Sequence, residues 1–105
     1  MSETPYARVT VLSFTDPSAK SSGVDELAGL VRAAHDLPGF LSCWVMDTGA
    51  AEAVMVTLYE SCAAAQQASA AGRQHIGAAI GRYVSGPPQR WAGDLVIDEP
   101  GSAPG

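Results

Sequence analysis

The chain contains no asparagine and a single lysine, Lys20. Charge of either sign is scarce: Asp, Glu, Lys and Arg make up 16% of the 105 residues, and the formal net charge is −5. The arginines are scattered, so no basic patch forms. That argues against a nucleic-acid-binding face and against electrostatic attachment to an anionic membrane, both of which need clustered cations. Long hydrophobic runs are missing too, and nothing approaches the roughly 20 apolar residues that span a bilayer. The opening MSETPYAR lacks the basic and apolar parts of a signal peptide, so the expected location is the cytoplasm. Two cysteines, Cys43 and Cys62, are too few for a disulfide framework and are expected to remain thiols. Two isolated histidines, His35 and His75, have no carboxylate or cysteine at ligand spacing, so no metal site is read. The missing asparagine, beside abundant alanine, reads as the codon bias of a GC-rich source.

What is present is apolar. Hydrophobic residues supply 47% of the chain, enough for one folded domain with a modest core. Its middle is the most legible part. Pro38-Gly39 ends a helix, because Pro cannot continue one and Gly tolerates positive φ. Phe40 to Met46 is rich in strand formers, Asp47-Thr48-Gly49-Ala50 has turn chemistry, and Val54 to Tyr59 is a second strand. Ser61 then caps a helix through the alanines. Before this block, Tyr6 to Phe14 reads as a strand and Asp16 to Gly23 as a polar loop. Ser22 with Asp25 makes a capping box for a helix to about Asp36. After it, the second helix weakens at Gly72, resumes with Ile76, Ala79, Ile80 and Tyr83 on one face, and stops at Ser85-Gly86-Pro87-Pro88. Gln89 to Asp98 is the last strand. The order is βαββαβ, an α+β ferredoxin-like fold with a four-stranded antiparallel sheet. The domain is expected to span 6–98, with 1–5 and 99–105 as flexible tails.

The strands are apolar on both sides. Val54, Val56 and Leu58 alternate with Met55, Thr57 and Tyr59; Val9 and Val11 oppose Leu12 and Phe14. Leu41, Cys43 and Val45 oppose Trp44 and Met46, and Trp91, Leu95 and Ile97 oppose Ala92 and Val96. Two helices cover one face of such a sheet. The other would leave a large apolar surface wet. A second copy packed sheet to sheet about a two-fold axis removes it, so a homodimer is expected.

The segments ARVTVLSF, LPGFLSCWVMD, AVMVTLYESCAAAQQA and GPPQRWAGDLVI together resemble the dimeric α+β barrel superfamily, most closely its antibiotic-biosynthesis-monooxygenase-like branch. The most telling piece is Pro-Gly-Phe, strand, Asp, strand, then Tyr59-Glu60-Ser61 and an alanine helix. The resemblance implies a pocket in each subunit between sheet and helices, and one chemistry: oxygenation of a small aromatic or polyketide-type metabolite without a cofactor. Such chemistry needs a base to form the substrate anion, a donor to hold the charge, and an apolar cavity for a flat ring.

On that reading His75 is the candidate base and Arg90 the candidate anion holder, with Trp91, Tyr83, Trp44 and Tyr59 as candidate walls. Each has a plainer alternative: a surface histidine, or aromatic side chains that only fill the core or the dimer interface. His35 ends the first helix, where a cation suits the dipole. In a regular strand Arg90 and Trp91 point to opposite faces, so both line one pocket only across a bulge. The chain also departs from the family. Its cofactor-free oxygenases and its haem-degrading branch use an asparagine, which is absent here. Three readings follow: a cofactor-free oxygenase, a non-catalytic ligand-binding or assembly dimer, and a haem-binding or haem-degrading protein.

Overall fold

A computed structural model describes residues 4–69 and 80–96. Strand β1 (Tyr6–Ser13), helix α1 (Pro17–Ala34), β2 (Phe40–Gly49) and β3 (Glu52–Tyr59) come in that order. Helix α2 starts at residue 62 and is described to 69, and residue 80 is again helical. Strand β4 (Gln89–Asp94) follows. The sheet order is β2-β3-β1-β4, and every neighbouring pair is antiparallel. This is the expected βαββαβ arrangement, with β1 and β3 at its centre.

Several boundaries differ from the sequence reading. Helix α1 begins at Pro17 rather than after Ser22. Asp16 is the N-cap, its carboxylate accepting from the Ala19 backbone N–H at 2.7 Å, and Pro17 sits where its missing N–H costs nothing. Ser22 and Asp25 therefore lie inside the helix, and the capping box is not used. The turn chemistry of Asp47-Thr48-Gly49 is also absorbed into strand. Pairing runs to Gly49↔Glu52 through a register shift after Asp47, leaving Ala50 and Ala51 as the turn. Thr48 Oγ1 donates to Glu52 Oε1 at 2.8 Å and holds this extension. Tyr83 lies in a turn after residue 80 rather than on a helical face. Strand β4 stops at Asp94, short of the expected Asp98. Residues 97–98 lie outside those described, as does the Gly72 weak point.

Other local readings hold. Ser61 Oγ accepts from the Ala64 backbone N–H at 3.1 Å and caps α2. Gly39 has φ +79°, the only positive φ among the described residues. The Phe40 N–H donates to the Leu37 carbonyl at 3.3 Å. Pro38 and Gly39 thus occupy the middle of a type II turn, which requires positive φ at its third residue.

Residues of even number in β1 and odd number in β3 face the helices. Leu12, Phe14, Ala53 and Ile80 close around Leu27 of α1 to form the main core, and Tyr59, Ala65 and Ala68 form a second cluster under α2. An Lys20 clamp ties α1 to the β2–β3 hairpin, its ammonium donating to Asp47 Oδ1 and to the Gly49 carbonyl, both at 2.7 Å. That hydrogen bond and the ammonium charge hold the Asp47 carboxyl below its usual range. The clamp's contribution is present above the ordinary carboxylate pKa and fades as pH falls through the lowered one.

Two glycines of α1 make opposite predictions. Gly23 is buried against Phe14, and a Cβ there would lie 2.6 Å from Phe14 Cε1. Phe14 is itself buried in the main core. A Cβ on Gly29 meets nothing within 4 Å. Gly23→Ala is expected to lose about 1–3 kcal/mol through overpacking, in spite of the better helix propensity of alanine. Gly29→Ala is expected to gain up to about 1 kcal/mol. Urea midpoints of the two variants check this, and a stable Gly23→Ala would contradict the packing described.

Candidate functional site

Between the sheet's helix-facing side and the two helices lies a cavity of about 1010 Å³. That is at the upper end of the range for small-molecule sites. Leu27, Leu30, Val31 and Ala34 of α1 supply one apolar wall. Ala68 and Ser69 enter from α2, and Val84 with the 85–88 loop closes the side next to β4. The sheet contributes the floor, and its polar groups are few: Thr10, Thr57, Tyr59, Cys43 and two arginines, Arg8 and Arg90.

The register explains which side chains reach it. Arg8 pairs with Thr57 on β3 and with Ala92 on β4, while Arg90 pairs with Thr10. All of these lie on the helix-facing parity. Arg8 and Arg90 are therefore diagonal neighbours on adjacent strands, within reach of long side chains. The Arg8 guanidinium lies over the Tyr59 ring, 5.9 Å from its centroid. Burial pushes the Tyr59 hydroxyl pKa up, against the pull of the Arg8 charge, so Tyr59 is a neutral donor at neutral pH. Burial likewise raises Cys43, opposed by the Thr57 hydroxyl, which donates to its Sγ at 3.5 Å. Burial thus favours the thiol form of Cys43 over the thiolate. The Oγ of Ser69 is buried and has no hydrogen-bond partner among the described residues. Among the described residues no acid lines the cavity, although the chain as a whole carries net charge −5.

Of the residues picked from sequence, Arg90 and Tyr59 line this cavity. Trp91 borders it, but its register partner is Val9, so its side chain belongs to the opposite face, where it is 57% exposed. Strand β4 pairs with β1 without a shift from Gln89 to Asp94, so no bulge brings Arg90 and Trp91 to one side. Trp44 pairs with Val56 on that same opposite face, at 53% exposure, and is not part of the cavity wall. Tyr83 packs against the main core, with the Arg82 guanidinium 4.8 Å from its ring centroid, also outside the wall. His35 caps α1 and stacks on Phe40 at 5.3 Å, a structural role. His75 lies outside the described residues. Among those described, no cluster of three metal-ligating side chains occurs, and no helix is long and apolar enough to cross a membrane.

Arg8, Thr10, Thr57 and Ser69 were not singled out from sequence. A signal for Arg8 existed. It shares parity with Thr10 and Leu12, so a charge stood in the inward register of an apolar strand.

Nine-tenths or more of the chain superposes on solved structures. A proposed antibiotic biosynthesis monooxygenase from Caulobacter crescentus matches with TM-score 0.80 and 19% identity, over 90% of this chain and 92% of that one. A single-residue variant of SnoaB, a cofactor-independent oxygenase from Streptomyces nogalater, matches at 0.78 and 13%, over 93% and 99%. A dimeric ferredoxin-like protein from an uncultured marine organism matches at 0.77 and 14%, over 95% of each chain. The fold of the chain is the ferredoxin-like one that these solved structures share. No protein-family model and no curated protein matches the sequence. At these identities the likeness is one of backbone, and the chemistry rests on the site.

Proposed function

We propose that the protein is a homodimeric, cofactor-independent oxygenase of a small aromatic metabolite. The observation that carries this reading is the large apolar cavity, cationic at its β1–β4 side and free of acids along its described walls. A flat ring fits between Leu27, Leu30 and the sheet. Loss of a proton from the ring gives an enolate or phenolate, which the Arg90 guanidinium holds. The electron-rich anion then reacts directly with oxygen. For an anthrone the balance is one CH₂ and one O₂ giving one C=O and one water. His75 remains the proposed base. The SnoaB likeness supports the chemical class.

The homodimer is supported by the other side of the sheet. Trp44, Met46 and Trp91 are exposed there, beside the half-buried Val9, Val54 and Val56. Such a patch is seldom left wet in a monomer.

Oxygen uptake by the purified protein tests the activity, with anthrones and hydroxynaphthoquinols and without added metal, flavin or haem. One O₂ is expected per anthrone consumed. His75→Ala and Arg90→Met are each expected to slow turnover at least about 100-fold, the scale of losing one anion-stabilising group. Absence of uptake across the panel would favour a ligand-binding dimer without turnover.

A further inference from the structure

Arg8 lies half-buried at the cavity, and neither it nor Arg90 has a carboxylate within salt-bridge distance among the described residues. The nearest acid by register is Asp94, which pairs with Tyr6 at the end of β4 and is not part of the cavity wall. Residues 70–79 contain Arg73 and His75 but no Asp or Glu, so that stretch of sequence offers no counter-charge either. Tyr59, beneath Arg8, is held neutral by its burial. Two guanidiniums on diagonal positions of adjacent strands thus face an apolar cavity whose described walls supply no anion; Glu3, Asp98 and Glu99 lie outside the described residues. Arg8 is half-buried while Arg90 is exposed; a partly desolvated cation such as Arg8 left unpaired is costly, and an arginine fork matches an oxyanion in two-point geometry.

We propose that Arg8 and Arg90 form a two-guanidinium clamp for a permanent oxyanion, and that the ligand is an amphipathic aromatic carboxylate. Its charged end lies between Arg8 and Arg90 at the β1–β4 side. Its ring system extends towards Leu27 and Leu30. Arg8 is then the residue that sets charge selectivity. Its place on a central strand, braced by the Tyr59 ring, fixes the guanidinium more firmly than that of Arg90 on the edge strand. The clamp depends on the cavity being a ligand site but not on oxygen chemistry, so it stands or falls separately from the oxygenase reading.

The test is a binding comparison under argon between 9-anthracenecarboxylate and 9-anthracenemethanol, two probes of nearly one shape and different charge, followed by their fluorescence. The carboxylate is expected to bind at least about 10-fold more tightly, the scale of a hydrogen bond to a charged group. That preference should shrink as salt rises. Arg8→Met and Arg90→Met should each remove most of the preference while leaving the alcohol's affinity within about 2-fold. Arg8→Lys should restore only part of it, because an ammonium lacks the fork. If Arg8→Met does not fold, Arg90→Met on the exposed edge strand still decides whether the clamp exists. Equal binding of the two probes, binding of neither, or a preference untouched by both substitutions would overturn the proposal.

Discussion

The native protein is expected to elute as a dimer, and a Trp44→Glu, Val56→Glu double variant as a monomer. The two side chains are register partners on β2 and β3, on the sheet face that carries no helix. In a two-fold interface each substitution appears twice, so four carboxylates would enter a face that is otherwise apolar. Burying a charge without a partner costs several kcal/mol. A weakening of the dimer by about 1,000-fold or more follows, since every 1.4 kcal/mol is about tenfold. Val45→Glu is the control. Val45 is also exposed, at 37%, but it pairs with Met55 on the helix-facing parity and should leave the mass unchanged. Light scattering behind size exclusion distinguishes the outcomes, and a dimer that survives the double variant would rule out this face as the interface.

Gly39→Ala is expected to lower stability by about 2–4 kcal/mol, more than a methyl added at Gly23, Gly29, Gly49, Gly86 or Gly93. Two independent costs combine there. Gly39 has φ +79°, where an L side chain crowds its own carbonyl. A Cβ would also collide with the Ala64 methyl of α2. The turn cannot move aside easily, because the Gly39 carbonyl accepts the Glu60 N–H at 2.8 Å. For a chain of this size each 1 kcal/mol lost corresponds to roughly 4–8 °C in Tm. Adding Ala64→Gly to Gly39→Ala should relieve the collision but not the backbone strain, so a thermal-melt double-mutant cycle separates the two. A Tm within about 3 °C of the native value would mean that the turn relaxes in a way its hydrogen bonds do not suggest.

The fold was readable because each element carried its own punctuation. Pro38-Gly39 and Ser61 are local signals whose chemistry does not depend on the rest of the molecule, and both act as expected. Errors arose where two local signals competed. Asp16-Pro17 and Ser22 with Asp25 are both start signals for α1, and the earlier one wins because the helix then places Gly23 and Leu27 against the core. Asp47-Thr48-Gly49 looks like a turn, but cross-strand pairing of β2 with β3 outweighs it. The site was only half legible. Arg90 and Tyr59 are legible because a cation beside Trp91 and an aromatic on an apolar strand stand out in sequence. Trp44 and Trp91 read as aromatic walls, yet strand parity places them across the sheet from Arg90. Arg8 was passed over because its meaning depends on which neighbours share its face, a property of the assembled sheet.

The sheet order also sets a timetable. Strand β1 leaves the ribosome first, but it is a central strand, and one of its two partners is β4, with Tyr6 opposite Asp94. A nascent chain carrying β1, α1, β2 and β3 can zip up three strands, yet one flank of β1 stays an unpaired edge until residue 94 emerges. Contacts of such sequence separation form slowly because a long loop must close first. During that interval the open flank of β1 offers a template to any other nascent strand. How quickly residues 60–94 follow β3 out of the ribosome therefore sets how long that flank stays open.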